Sequence, residues 1–206
     1  IDNSISEAKI SSMENNTVTD AVVYYVIQKH DSETRLLYFK DKNDKDFRIT
    51  TETTPYRGHY ETASGYTANS GQAKTYYVFR SYMEQLEYTG GGTITVAAGT
   101  YTLSHSVCIP SNVTVNFEDG VKIQKVKAVN TNLATNKTMF ELVPPSKEGV
   151  KNSVGGYNGS QNVTLQGNGS TIFDCAYTLN AMAVVMGHAQ NCLLYTSPSP
   201  RDRSVS

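Results

Sequence analysis

Asn162-Val-Thr-Leu165, followed by Asn168-Gly169 and Thr171-Ile172, echoes Asn112-Val-Thr-Val115, Asp119-Gly120 and Lys122-Ile123. Gln190-Asn191 then repeats Gln161-Asn162 at a distance of 29 residues. Short strands with turn residues at fixed offsets are the pattern of stacked repeats, in which each turn of chain buries its apolar face on its neighbours. A β-sandwich also has many short strands, but its strands have no reason to repeat a motif. The echo therefore predicts a solenoid.

Outward from this motif the chain reads as strands and corners. Thr93-Ile-Thr-Val96 alternates, Tyr101-Thr-Leu103 resumes after a turn, and Ser106-Val-Cys-Ile109 ends at Pro110, which removes a ladder donor. In Asn112-Val-Thr-Val-Asn-Phe117 the apolar side chains Val113, Val115 and Phe117 share one face. Asp119-Gly120 turns tightly into Val121-Lys-Ile123, and Met139-Phe-Glu-Leu-Val143 is apolar again between polar excursions at 126–138 and 144–159. Upstream, Tyr76, Phe79, Met83 and Leu86 recur at helical spacing. Ser70 or Thr75 starts this helix and Gly90-Gly-Gly92 stops it. Arg80, Glu84 and Glu87 fall outside the stripe, so their face is expected to be wet.

Residues 1–60 carry 18 of the 37 charged residues. Within them Ala21-Val-Val-Tyr-Tyr-Val-Ile27 and Thr34-Arg-Leu-Leu-Tyr-Phe39 predict a hairpin, with Phe47-Arg-Ile-Thr-Thr51 as its third strand. The organisation expected is a small β unit, or the remnant of an upstream domain, over 1–60, and a linker over 61–71. A capping helix and first rungs follow over 72–191, and a non-native tail over 192–206. Cys192 to Asp202 resembles the translated read-through of a transposase sequencing adapter, so 192–206 are expected to pack poorly and the chain to be a fragment of something longer. Without that tail the balance is 16 basic and 18 acidic residues.

The helix, then Gly90-Gly-Gly-Thr-Ile-Thr-Val96, then Gly99-Thr-Tyr-Thr-Leu103 is similar to the N-terminal capping region of the pectate-lyase superfamily. Asn162-Val-Thr-Leu-Gln-Gly-Asn-Gly-Ser-Thr-Ile-Phe-Asp174 resembles an early rung of its polygalacturonase-like members. The resemblance covers about residues 72–191. It implies an all-β chain: a right-handed parallel β-helix with an N-terminal capping α-helix. It further implies a secreted or cell-surface, bacterial carbohydrate-active protein, a pectin-like glycan lyase or glycoside hydrolase, with polysaccharide as partner. The alternatives are a non-catalytic β-helix adhesin or stalk and a phage tailspike, because one fold hosts all of these.

Composition excludes other partners. A net charge of −1 gives no electrostatic footprint for nucleic acid, and the longest apolar run, seven residues, is too short for a membrane-spanning helix. Glycoside hydrolysis requires two carboxylates. Asp174 is the foremost candidate, with Glu118, Asp119, Glu141 and Glu148 as the other acids of the solenoid. By resemblance the catalytic acids belong to later rungs, so no catalytic residue is assigned. Gly187-His188 resembles a Gly-His pair of polygalacturonase sites, but Ala189 replaces the following glycine. His30, His59 and His105 fall in turn or linker sequence without a partner. No cluster of Asp and Glu suggests calcium and no Cys/His spacing suggests zinc, so neither metal nor cofactor is expected. Cys108 and Cys175 read as free structural thiols. Tyr56, Tyr60, Tyr66 and Tyr157 are candidates for stacking on sugars. The Asn-x-Ser/Thr triplets at Asn15, Asn112, Asn136, Asn158, Asn162 and Asn168 read as corner asparagines rather than glycosylation sites. The chain itself is expected to be catalytically inert.

Overall fold

The structure is a computed structural model that describes residues 21–23, 33–36, 39–56, 59–62, 74–126, 138–148 and 152–196. Five strands precede the helix: β1 (Ala21–Val23), β2 (Glu33–Leu36), β3 (Phe39–Asp41), β4 (Asp46–Ile49) and β5 (His59–Thr62). Helix α1 spans Lys74–Thr89. After it come β6 (Gly92–Val96), β7 (Gly99–Leu103), β8 (Val107–Cys108), β9 (Val113–Phe117), β10 (Val121–Lys125) and β11 (Thr138–Glu141). The last are β12 (Thr164–Gly167), β13 (Ile172–Asp174), β14 (Met182–Val185) and β15 (Leu193–Thr196). The described chain is predominantly β, with one α-helix, and its principal sheets are parallel.

Three parallel sheets carry the architecture. One orders its strands β15-β12-β9-β6-β4, the second β13-β10-β7 and the third β14-β11-β8. From β6 onward the chain visits the sheets in the same order three times, and β15 opens a fourth visit. The repeat read in the sequence sets this register. Thr164 lies opposite Thr114 and Leu165 opposite Val115, while Gln161 bridges Gln190 in parallel. In the second sheet the expected alignment is off by one residue. Lys122 pairs with Ile172 and Ile123 with Phe173. A one-residue slip exchanges faces, so Ile172 points outward and Phe173 packs on the core.

The corner residues are held in the left-handed region. Asn112, Asn162 and Asn191 have φ of 60°, 56° and 51°, a conformation that asparagine tolerates because its short amide bonds locally. They also stack. Asn162 Nδ2 donates to Asn112 Oδ1 at 2.9 Å, and Asn112 Nδ2 donates to the Gly90 carbonyl at 3.1 Å. The corner reading of these two asparagines is therefore the observed one.

Inward positions fill the space between the sheets. Ile94, Val96, Val113, Val115, Phe117, Val121, Ile123, Val163 and Leu165 are buried. Phe140 joins Phe79 of the helix to the last turn, edge-on to Phe79 at 6.1 Å, Phe117 at 6.0 Å and Phe173 at 5.8 Å. Such edge-to-face pairs add to the area they bury.

Helix α1 closes one end of the stack. Gly91 N–H bonds the Leu86 carbonyl at 2.8 Å, and Gly90 at φ 80° supplies the left-handed residue that ends the helix. At Gly92 a Cβ would stand 2.1 Å from the Lys45 carbonyl, so only glycine admits the chain entering β4. The stripe Tyr76, Phe79, Met83, Leu86 is buried as expected, but the opposite face is not wet. Arg80, Glu84 and Gln85 are buried as well. Polar segments cover that face: Gln85 Nε2 donates to the Asp44 carbonyl, the Ser81 hydroxyl accepts from Tyr56 N–H, and Ser146 N–H donates to Glu87.

β1 pairs antiparallel with β3, Val23 opposite Phe39, in the sense expected of the segments 21–27 and 34–39, and β2 pairs antiparallel with β5; residues 24–32 and 37–38 lie outside the described residues. β4 leaves that unit altogether and runs parallel to β6, because Phe47 and Ile49 alternate in phase with Ile94 and Val96. The linker expected at 61–71 is described only at Glu61 and Thr62, which end β5. Of the tail expected over 192–206, β15 docks its backbone in register on β12, while Leu193, Leu194 and Tyr195 stay 54%, 50% and 45% exposed, so its side chains pack poorly as expected. An open sheet edge offers its donors and acceptors to any extended segment free of proline, and Leu193-Leu-Tyr-Thr196 is one. Residues 197–206 lie outside the described residues.

Phe140→Ala is expected to cost about 3–5 kcal/mol of stability, read as a shifted urea midpoint. Asn162→Val places a β-branched side chain at positive φ and is expected to cost about 1–2 kcal/mol, with Asn162→Gly milder.

Candidate functional site

Lys122 and Gln124 on β10 alternate with Val121, Ile123 and Lys125, so they project outward from the second sheet. In register with them stand Thr100 and Thr102 on β7 and Asp174 at the end of β13. These five side chains fall in two adjacent outward rows, Thr102-Gln124-Asp174 and Thr100-Lys122, the second of which ends on the apolar Ile172. Lys122 Nζ lies 2.8 Å from Asp174 Oδ2 and Gln124 Nε2 donates to the same oxygen at 3.0 Å. Oδ1 accepts the Ala176 N–H at 2.8 Å.

This environment decides what Asp174 can do. The Lys122 hydrogen bond, then the Ala176 N–H and Gln124, hold its carboxyl below the usual carboxylate value. A general acid needs the opposite shift. Asp174 is thus an ionised anchor for the row, and the chemistry available there is hydrogen bonding to hydroxyls.

The other carboxylates named from sequence are engaged elsewhere. Glu118 is paired with Arg48, whose Nη2 lies 2.9 Å from Oε2, and this partner lowers its carboxyl. Asp119 Oδ1 accepts the Ser170 N–H at 2.7 Å, tying one turn to the next. Glu148 Oε2 lies 2.7 Å from Arg80 Nη1. Glu141 is partly exposed on the third sheet, where it pairs with Cys108 and Val185.

His188 sits in the corner between β14 and β15, away from the row. Its Nδ1 is 3.0 Å from the Gly156 carbonyl, and its own carbonyl accepts the Gly159 N–H. His105 departs from the expectation of a partnerless turn histidine. It is buried, with Nδ1 2.7 Å from Ser104 Oγ and its ring 4.8 Å from that of Tyr76. Tyr56 is not a free sugar platform either: its hydroxyl donates to Asp44 and its ring packs against Phe47 and Tyr82. Tyr157 is exposed. His30 and Tyr66, and the side chains of His59 and Tyr60, lie outside the described residues. Cys108, Cys175 and Cys192 are free, and burial raises the Cys108 thiol well above its ordinary value, which suppresses its reactivity.

Sequence reading missed two buried polar groups. Lys125 is 1% exposed, and its Nζ donates to the Thr138 carbonyl at 2.8 Å and the Ser104 carbonyl at 3.2 Å. The alternation of β10 was the available signal, since 121, 123 and 125 face inward together. The second is Arg80, bonded to Glu84, Glu148 and the Tyr76 hydroxyl beneath the helix. No group of His, Cys, Asp and Glu able to hold a metal occurs among the described residues, and no helix there is long and apolar enough to cross a membrane. A shallow depression of about 200 Å³ beside Thr51, Lys74 and Tyr101 falls below the size of small-molecule pockets.

Burial holds the Lys125 ammonium down to about 8 from its ordinary 10.5, against the opposing pull of Glu141 and Cys175. The folded value lies below the unfolded one, so the unfolded chain binds more protons between them and stability rises with pH across that window. Cys108 has the opposite sign: its raised thiol makes stability fall above its unfolded value. Comparing the protein with Lys125→Met by urea unfolding cancels the thiol. The difference is expected to move in favour of the unmodified protein by up to about 3 kcal/mol between neutral pH and pH ~10. A flat difference would show Lys125 to be solvated.

Comparison with protein-family models, with curated proteins and with solved structures finds no match for this chain.

Proposed function

We propose that residues 92–196 are turns of a right-handed parallel β-helix of the pectate-lyase-superfamily kind, capped by α1. In this reading the chain belongs to a secreted or cell-surface protein that acts on an acidic or plant-type polysaccharide. These residues bind glycan and do not cleave it. The observation that carries the reading is the pair of outward rows Thr102-Gln124-Asp174 and Thr100-Lys122, in register across β7, β10 and β13. Hydroxyl, amide and ammonium groups spaced by the strand separation suit the regularly recurring hydroxyls of an extended glycan. Against cleavage stands the state of Asp174, ionised and ion-paired, with no second free carboxylate in its row.

A second reading, a non-catalytic adhesin, stalk or tailspike domain, has one observation in its favour. In the five-stranded sheet the outward positions of the three inner strands are hydroxyl and amide side chains, Thr93, Thr95, Thr114, Asn116, Thr164 and Gln166, flanked by Asp46 and Arg48 on β4 and by Leu193 and Tyr195 on β15. Such a surface serves a structural or adhesive role as readily as a binding one.

Affinity electrophoresis in polygalacturonate and pectin gels separates the readings. The chain is expected to be retarded, and Lys122→Ala and Gln124→Ala to lose most of the retardation with an unchanged circular dichroism spectrum. No reducing ends should be released. A folded chain that is not retarded by any acidic glycan leaves the structural role. Depolymerisation abolished by Asp174→Asn overturns the inert reading and makes Asp174 catalytic.

A further inference from the structure

Lys122 has a distinctive setting on the outer face of β10. Its row runs Thr100, Lys122, Ile172, so a hydroxyl lies on one side of the ammonium and an apolar side chain, 50% exposed, on the other. A pyranose ring matches that order: its C–H face buries apolar area while its hydroxyls reach polar neighbours. Lys122 is the one cation in the two outward rows, and Asp174 the one anion.

The pair they form is exchangeable. Both side chains are partly exposed, at 36% and 30%, and an ion pair so placed adds little net energy. Asp174 does not depend on it for its position. The Ala176 N–H at 2.8 Å and Gln124 Nε2 at 3.0 Å hold the carboxylate whether or not Lys122 stays. Asp174 is the only ion-pair partner of Lys122 among the described residues. The carboxylate is thus fixed, while the ammonium rides on a flexible stem and can change partner.

Resting on the glycan-binding reading above, we propose that Lys122 is the receptor for an oxyanion on the bound sugar, a carboxylate or a sulfate ester, and that Asp174 is its built-in competitor. The incoming oxyanion takes the ammonium over from Asp174, and Thr100 and Ile172 receive the ring that carries it. Asp174 tempers the affinity twice: it occupies the ammonium, and its own charge repels the incoming one. Removing that charge therefore strengthens the binding of acidic glycans and leaves neutral ones unaffected. An Asp174 that only shaped the turn would give no such gain.

Affinity electrophoresis at low salt, with polygalacturonate against its methyl ester and dextran sulfate against dextran, reads this directly. Asp174→Asn is expected to raise the affinity for one anionic glycan about three- to tenfold, with a smaller gain as salt is added. The glycan that shows the gain identifies carboxylate or sulfate as the group bound. Lys122→Gln is expected to erase the preference for the anionic member of that pair. Asp46→Asn, which changes the net charge equally on another sheet, is expected to leave both affinities unchanged. A chain retarded by glycan whose Asp174→Asn variant shows no gain overturns this inference alone. So does an equal gain from Asp46→Asn, or a preference that survives Lys122→Gln. A folded chain that none of the four glycans retards overturns it together with the reading on which it rests.

Discussion

Each turn of this chain must meet the backbone groups of the turn above at every strand, and the corner asparagines fix where that meeting begins. Asn112 N–H bonds the Gln161 carbonyl at 2.8 Å and Asn162 N–H bonds the Gln190 carbonyl at 3.0 Å. A left-handed residue at each corner turns the chain so that Val113 and Val163 follow directly into the interior, where both are fully buried. A slip of one residue at a corner would carry Thr114 and Thr164 inward and every valine out. Length variation is therefore confined to segments between corners. Equivalent corners are 50 residues apart from Asn112 to Asn162, yet the next bridge, Gln161 to Gln190, needs only 29.

Stacking solves the backbone problem inside the stack and leaves it at the ends. At the closed end the solution is unusual, because it buries charge. Arg80 is held by Glu84 at 3.1 Å and Glu148 at 2.7 Å, and Tyr76 bridges Arg80 and Glu148 through its hydroxyl. Desolvating such a cluster offsets most of its attraction, so it adds little net stability over an apolar replacement. Its geometric effect is plainer. Together with Glu87 and Ser146 it ties the segment Pro145–Lys147 to the helix, holding the cap against the loop that leaves β11.

What was legible in the sequence follows the same division. Strand alternation and the repeated Asn-Val-Thr are local signals set by the period of a strand, and they located β6, β7, β9, β10 and β12. Partner choice is not local. The five-residue spacing of Arg35 and Lys40 says nothing about whether β2 meets β1 or β5, and β4 joins β6 across more than forty residues. The alignment of Thr171-Ile172 with Lys122-Ile123 failed because the dipeptides Asp119-Gly120 and Asn168-Gly169 lie 49 residues apart whereas the strands on both sides of the turn keep an offset of 50, so matching turn residues does not give the register. Arg80 and Glu84 misled for a different reason: helical periodicity identifies the most apolar face, not the number of faces covered. The candidate site was legible only in part. Asp174 stood out as a carboxylate, but its state depends on Lys122 and Gln124, fifty residues away, so its chemistry belongs to the register and not to the motif.

That dependence bears on what the scaffold can support. Neighbouring strands lie about 4.8 Å apart, so two groups in one outward row stand about 5 or 10 Å apart according to whether a strand intervenes. Those separations bracket the carboxyl spacings of retaining and inverting glycoside hydrolysis. Thr102, Gln124 and Asp174 occupy three successive positions of one such row. The spacing is therefore supplied by the fold, and the chemistry is withheld by residue identity: a hydroxyl and an amide stand where a second carboxylate would be required. Lys122 completes the exclusion by holding Asp174 in its charged form. The same three side chains, unable to donate a proton to a glycosidic oxygen at neutral pH, retain hydrogen-bond donors and acceptors on the outer face of the sheet.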